Sequence, residues 1–369
     1  MYLTKKGKAP HQAHVGIPEG LCEEEHGREG FSGPVSHLYR AHPPTAWVRI
    51  EGPLKPRAFV CSMVSTTGSS AIPNLPVPIM QSKDAVISLW RRTDTMSHFL
   101  RNADGDDVYF VHQGSGRLET DYGLLAYEPG DYLLIPKGTT YRIHVDAGPS
   151  LFVIIETPTP VTLPDRGPLG QHALFDKGVV VTPELDVADA PNEQNQEWEV
   201  TIKRQTQYTR VFYPFYPMDV VGWKGDLWAA KLNVRDIRPV TSPRYHLPPS
   251  VHGTFQAGDC LISTFVPRPL ESDPEALRVP FYHRNTDYDE VLFYHDGEFF
   301  SRAGIQPGMF TLHPQGIHHG PQPQAVRASH GKTHTNEVAV MIESKSPFTV
   351  TAELERMEIA DYALSWSRP

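Results

Sequence analysis

The sequence is poor in cysteine, in long apolar runs and in positive charge. Three cysteines, Cys22, Cys61 and Cys260, are scattered through 369 residues with no CxxC. An odd, dispersed set argues against a disulfide framework and fits a reducing compartment. No stretch approaches the ~18 consecutive apolar residues of a membrane-spanning helix. The basic start MYLTKKGKAPHQAHVG also lacks the apolar run of a signal peptide. The cytoplasm is therefore expected by elimination. Lys and Arg number 34 against 43 Asp and Glu, a net charge of -9. Such a chain has no general attraction for phosphate backbones or anionic membranes, so neither nucleic acid nor membrane is an expected partner. Long helical periodicity is missing too. The 35 prolines and 28 glycines instead imply short strands and many turns.

What is present is enough for a core. Hydrophobic residues make up 39% of the chain, and its length suggests two domains or one duplicated unit. Residues 1–45 read as an extended arm and Ala46 to Val64 as strand, followed by loop over 65–85. From Val86 to Glu156 apolar runs alternate with turns (VISLW, VYFVH, DYLLIP, LFVIIE), the pattern of closely spaced strands. Residues 157–197, rich in Pro and polar residues, read as a connection. Strands and a possible short helix follow over 198–240, and a second β-dense stretch runs from Cys260 to Thr351. The tail holds one helix or an extended segment.

The two β-dense stretches repeat each other. DDVYFVHQGSG from Asp106 matches DEVLFYHDGEF from Asp289, and EPGDYLLIPKGTTYR from Glu128 matches QPGMFTLHPQGIHHG from Gln306. An acidic residue precedes a strand that ends at glycine in both copies, Asp107 to Gly114 and Glu290 to Gly297. The offset is 183 residues for the first pair of segments and 178 for the second, so the length change is confined to one hairpin. That indicates duplication of one β unit. The expected division is a first segment, 1–190, with a metal-free barrel, and a second, 191–369, with a metal-binding one.

The copies differ where chemistry would sit. The second has His283, Glu290 and His319. The first has Asp107 and Tyr141 at the last two positions and no histidine at the first, His98 being the nearest. Two imidazoles and one carboxylate leave open positions for substrate and O2, an arrangement suited to non-haem Fe(II). Zn(II), Mn(II) or Ni(II) could use the same ligands. Asp287 and Asp289 compete with Glu290 as carboxylate donor, but the E-x6-G spacing favours Glu290.

Most other histidines have plainer readings. His246, in YHLPPS, reads as a structural loop residue, and His313 as either a core or a site histidine. His318 should point away from His319. His330 and His334 read as loop residues, and Trp223 with Trp228 as packing.

GMFTLHPQGIHH and HRNTDYDEVLFYHDG resemble the two cupin motifs, with Asn285 where the second histidine of an H-x-H would stand. An all-β double cupin with loop-rich extensions is the implied fold. PFYHRN, PQGIHHGPQ and NEVAVMIESKSPFTVT, together with FYPMDVVGWKGDLWAAKLNVRDIRP and GFSGPVSHLYRAHPP, further resemble homogentisate 1,2-dioxygenases. That resemblance implies Fe(II) on His283, Glu290 and His319, and His246 as the acid/base near the phenol. It also places His313 and Asn285 beside the substrate. Phe299 stands where the family has a tyrosine that contacts the substrate carboxylate, and the His283–Glu290 spacing is one residue longer than the family's. An aromatic acid and O2 are the implied small-molecule partners, homogentisate is the implied substrate, and a trimer or hexamer is the implied assembly. The rivals are a cupin dioxygenase for gentisate or another hydroquinone acid, and a non-catalytic bicupin that binds a small acid.

Overall fold

The structure is a computed structural model that describes residues 5–61, 74–146, 148–185, 196–205, 207–278, 281–299, 302, 304–329 and 331–367. His330 and residues 62–64 of the expected strand lie outside this set.

The architecture is the expected all-β double cupin. The strand Asp106–Gln113 shows how the sequence builds it. Six consecutive residues are buried, because alternate side chains serve two cores. Tyr109 and Val111 point into the first barrel, where they meet Trp90, Leu118 and Phe152. Val108 and Phe110 point the other way, toward Val291, Phe293 and Phe310 of the second half. The first barrel closes a seven-stranded sheet over a six-stranded one around the former cluster. The second half is a six-stranded sheet with a separate three-stranded sheet. The two halves pack sheet against sheet.

The duplication is visible at this junction. Phe110 and Phe293, 183 positions apart, meet with ring centroids 6.1 Å apart. His112 and His295, separated by the same offset, meet through their Nδ1 atoms at 2.9 Å. Equivalent residues in mutual contact mark an approximate twofold axis. The local devices repeat as well. Asp106 Oδ1 accepts the Lys137 N–H and Asp289 Oδ1 the Gln315 N–H, both at 2.8 Å. Gly114 and Gly297 end the equivalent strands with φ of 85° and 91°. A Cβ on Gly297 would sit 2.0 Å from the Asn336 carbonyl oxygen, so only glycine fits there.

The segments 1–190 and 191–369 exchange strands. Trp198–Arg204, Gln207–Tyr213 and Ala230–Asn233 join the sheets of the first barrel, whereas Arg57–Val60 joins the sheet of the second. Only Arg57–Val60 is strand within the described part of 46–64. The arm is more ordered than its composition suggests. Cys22–Gly27 and Val35–Arg40 pair with each other, and the former pairs in parallel with Tyr282–Asn285. Backbone pairing needs no apolar periodicity, so composition gives no sign of it. The tail holds a four-residue helix, Ala352–Glu355, and a 3-10 turn, Tyr362–Trp366. A further short helix, Pro323–Ser329, interrupts the second β-dense stretch.

Candidate metal centre and adjoining cavity

Three strands and a loop position the centre. Glu290 is the second residue of Asp289–Asp296, and its pairing puts it opposite His313 on one side and Glu343 on the other. His283 lies on Tyr282–Asn285. His319 pairs with it through two backbone hydrogen bonds, of 2.9 and 3.0 Å. One ligand atom from each of His283, Glu290 and His319 lies within 4.8 Å of the others, and all three residues are buried. The rival carboxylates are engaged elsewhere. Asp289 accepts the backbone N–H groups of Gln315 and Phe348, and Asp287 binds Arg28 and the Glu29 N–H.

The donor set fits a metal ion. His283 Nδ1 lies 3.1 Å from the Phe281 carbonyl oxygen and His319 Nδ1 3.4 Å from that of Ile317. A carbonyl only accepts, so the network puts the ring proton on Nδ1 and leaves a lone pair on each neutral Nε2. Those Nε2 atoms face Glu290, at 3.3 Å from Oε1 and 2.9 Å from Oε2. A cation between them, a metal ion or a proton, satisfies this arrangement, and burial of His283 is outweighed by Glu290, which raises its imidazole. Burial, then His283, pushes the His319 imidazole down to about 4, despite the pull of Glu290. Burial opposes ionisation of Glu290, yet His319 and His283 hold it well below the usual carboxylate range. A neutral imidazole and an ionised carboxylate are the forms that bind metal. Glu343, beneath Glu290, is pushed up to about 8 by burial and by the Glu290 charge.

The other expected residues fall in different places. His313 is fully buried and stacks on His319 with centroids 4.5 Å apart. Its Nδ1 is 3.7 Å from Glu290 Oε2, and among the described residues neither ring nitrogen has a hydrogen-bond partner. His246 lines a cavity of about 670 Å³, counted with its mouth, together with His283 and Glu290. Its Nδ1 is 2.7 Å from Glu271 Oε1. Asn285 lies off the cavity wall. Its Oδ1 caps the following turn by accepting the N–H groups of Asp287 and Tyr288, as Asn102 Oδ1 accepts that of Asp104 in the first copy. Phe299 is packed edge-on against Tyr294 at 4.7 Å, in a cluster with Met309 and Ala339. Tyr294 itself reaches the cavity. His318 points away from the centre, to Glu24 at 2.9 Å, as alternation requires. His334 is exposed, and Trp223 stacks on Trp228.

Sequence reasoning missed three groups in this cavity and a fourth behind it. Glu271 orients His246. Arg268, Glu337 and His252 line the wall beside Arg302. Burial raises the Glu337 carboxyl although Arg268 and Arg302 oppose it. These residues come from segments without a repeat or metal-ligand spacing, so only the fold reveals them.

The family descriptions "Homogentisate 1,2-dioxygenase N-terminal" and "Homogentisate 1,2-dioxygenase C-terminal" match residues 43–234 and 248–368. The protein named "Putative dioxygenase SSO1533", of Saccharolobus solfataricus, is 33% identical over 387 aligned residues covering 99% of each chain. The homogentisate 1,2-dioxygenase of Bradyrhizobium diazoefficiens is 29% identical over 287 residues, or 73% of this chain. The match spans 62% of that relative's length. Among solved structures, a cupin 2 conserved barrel domain protein from Leptotrichia buccalis aligns at a TM-score of 0.35 and 10% identity. That alignment covers 78% of this chain and 96% of the other, and it is too loose to carry the fold assignment, which rests on the sheets above. No described helix is long and apolar enough to cross a membrane.

Proposed function

Because the chain belongs to the homogentisate 1,2-dioxygenase family, we propose that it is a non-haem Fe(II) dioxygenase that opens the ring of homogentisate. Both atoms of O2 enter the product, maleylacetoacetate, in a step of tyrosine and phenylalanine breakdown. The observation that carries this reading is the buried cluster His283, Glu290 and His319, the first two of which line a cavity shared with two arginines and with His246, itself held by Glu271. His283, Glu290 and His319 would hold the iron, which supplies a Lewis-acidic centre open to substrate and O2.

The chain's own residues do the rest. Leu292, Ala339 and Met341 form an apolar wall for the aromatic ring. Arg268 and Arg302 line the same cavity and offer guanidinium groups for the acid arm of the substrate. Glu271 fixes His246 through Nδ1 and so leaves Nε2 free to accept the phenol proton and return it. Burial keeps bulk water from the reacting groups.

Phe299 favours a second reading. Its phenyl ring is packed away from the cavity and offers no hydroxyl, so gentisate or another hydroquinone acid is the alternative substrate. Oxygen uptake by anaerobically iron-loaded protein, with homogentisate, gentisate and ring-substituted analogues, separates the two. No uptake with any of them refutes the dioxygenase assignment. A cytoplasmic homo-oligomer, trimer or hexamer, belongs to the same reading, and light scattering tests the assembly.

A further inference from the structure

The strand Cys22–Gly27 carries three glutamates in a row, Glu23, Glu24 and Glu25, and all three are buried. Alternation puts Glu24 on one face and the other two on the opposite face. The faces are neutralised differently. Glu24 is met by Arg40, by Arg284 at 3.5 Å and by His318 at 2.9 Å. Among the described residues, the ion-pair partners of Glu23 and Glu25 are imidazoles alone. His14 Nδ1 lies 2.5 Å from Glu23 Oε1, and His14 Nε2 3.7 Å from Glu25 Oε2. His37 Nε2 lies 3.2 Å from Glu25 Oε2.

We propose that His14, Glu23 and His37, with Glu25 beside them, form a second metal site, structural in kind, that holds a zinc ion. One ligand atom from each of the first three lies within 4.8 Å of the others. His14 is 6% exposed, and among the described residues its Nδ1 makes no well-aligned hydrogen bond although it lies 2.5 Å from Glu23 Oε1, so a buried nitrogen sits where a ligand atom is needed. Nitrogen and carboxylate oxygen are the donors zinc takes. Metal binding takes both imidazoles in the neutral form, and a divalent cation then cancels the charges of the two buried carboxylates on this face. Glu24, already matched by guanidinium groups, needs none.

The two sites differ in kind. The centre at Glu290 has three donors at the edge of a cavity, the open form that reactive metals use. At the second site Glu25, 3.2 Å from His37 Nε2, supplies a further carboxylate beside the three donors, and structural zinc takes four ligands. Its position gives it a task. Glu25 is the register partner of His283 on the adjoining strand. The His14 ring stacks on Phe281 with centroids 4.5 Å apart. A zinc ion here would pin the N-terminal segment to the strand that carries His283.

The test is metal analysis of full-length protein grown with iron and zinc. The wild type should hold one iron and one zinc per chain. Changing His283→Ala with His319→Ala should abolish iron binding and leave the zinc. Adding His14→Gln and His37→Gln to that background should release it. Zinc missing from the His283→Ala/His319→Ala protein after saturation with zinc chloride, or zinc that persists after His14→Gln/His37→Gln, overturns the proposal. If the fourfold variant does not fold, diffraction of the wild type at the zinc edge decides, because a peak between His14 and His37 is required. The outcome is independent of the dioxygenase assignment, which rests on the other site.

Discussion

The His246–Glu271 pair gives the sharpest test of how this cavity works. Both side chains are about one-tenth exposed, and their contact of 2.7 Å is short enough for a charge-assisted hydrogen bond. Burial resists ionisation of Glu271, but the hydrogen bond from His246 holds it below the usual carboxylate range. Glu271→Gln keeps the shape and an accepting oxygen and removes only the charge. A hydrogen bond to a charged group contributes about 1.5–3 kcal/mol and a neutral one about 0.5–1.5. The difference, about 1–2 kcal/mol, corresponds to roughly 5–30-fold in turnover if His246 carries the proton. His246→Gln removes the proton carrier itself and should cost about 10²–10⁴-fold, the range for a general acid or base. Glu271 acts through His246, so the double variant should be no slower than His246→Gln alone. The assay is oxygen uptake at saturating substrate, with iron content measured on each variant and expected to stay at the wild-type level. An equal cost for Glu271→Gln in both backgrounds would refute the coupling. Wild-type turnover in His246→Gln would show that this histidine is structural.

Three further outcomes are expected. His319→Ala should lose most of its iron and most activity while circular dichroism remains that of a folded β protein, because the pair between His319 and His283 is made by the backbone, which the substitution keeps; retention of stoichiometric iron would contradict the ligand assignment. Arg268→Gln should raise KM for the acid substrate about 10-fold or more, as loss of a charged hydrogen bond does, whereas Phe299→Tyr should leave KM within about twofold, because Phe299 is off the cavity wall. The third concerns acid stability. Burial, then His295, pushes His112 down to about 4 from 6.5, so the unfolded chain takes up a proton that the folded chain resists. Stability is therefore lost as pH falls from about 6.5 to 4, by roughly 2 kcal/mol at pH 5. Thermal melts at pH 7 and pH 5 should show a smaller drop for His112→Asn than for the wild type, and equal drops would refute the assignment.

The duplication was legible because it leaves matched glycines and acids at fixed offsets, and each has a local structural cause. Gly297 is required by a carbonyl oxygen 2.0 Å from where its Cβ would be, and Asp289 accepts two backbone N–H groups. The triad was legible for a similar reason, since register on neighbouring strands turns spacing into proximity. Asn285 shows the limit of such reading. Its place next to the ligands suggests a substrate contact, but its oxygen closes a turn that the first copy closes with Asn102. The strand Cys22–Gly27 shows another limit. It is held by pairing to a segment some 260 positions away, and CEEEHG looks like a solvent-exposed charge run until Arg40, Arg284, His14 and His37 are in place around it.

The first barrel carries other residues at the positions of the second barrel's candidate ligands. Counting back 183 residues places Leu100 at the position of His283 and Asp107 at that of Glu290, and the offset of 178 places Tyr141 at that of His319. The geometry persists: Tyr141 pairs with Leu100 as His319 pairs with His283, and Asp107 lies opposite Glu156 as Glu290 lies opposite Glu343. Two buried carboxylates on adjacent strands cannot both remain charged without a cation. In the second barrel a metal ion on Glu290 would meet that need. In the first, Lys203 from the exchanged strand Trp198–Arg204 reaches Glu156 at 2.6 and 2.8 Å. Asn102 donates to both Asp107 and Glu156, and the Tyr109 and Tyr141 hydroxyls bond each other at 2.6 Å. The ammonium of Lys203 thus supplies the positive charge that a metal ion would supply in the second barrel. The strand exchange between the two segments is what delivers it.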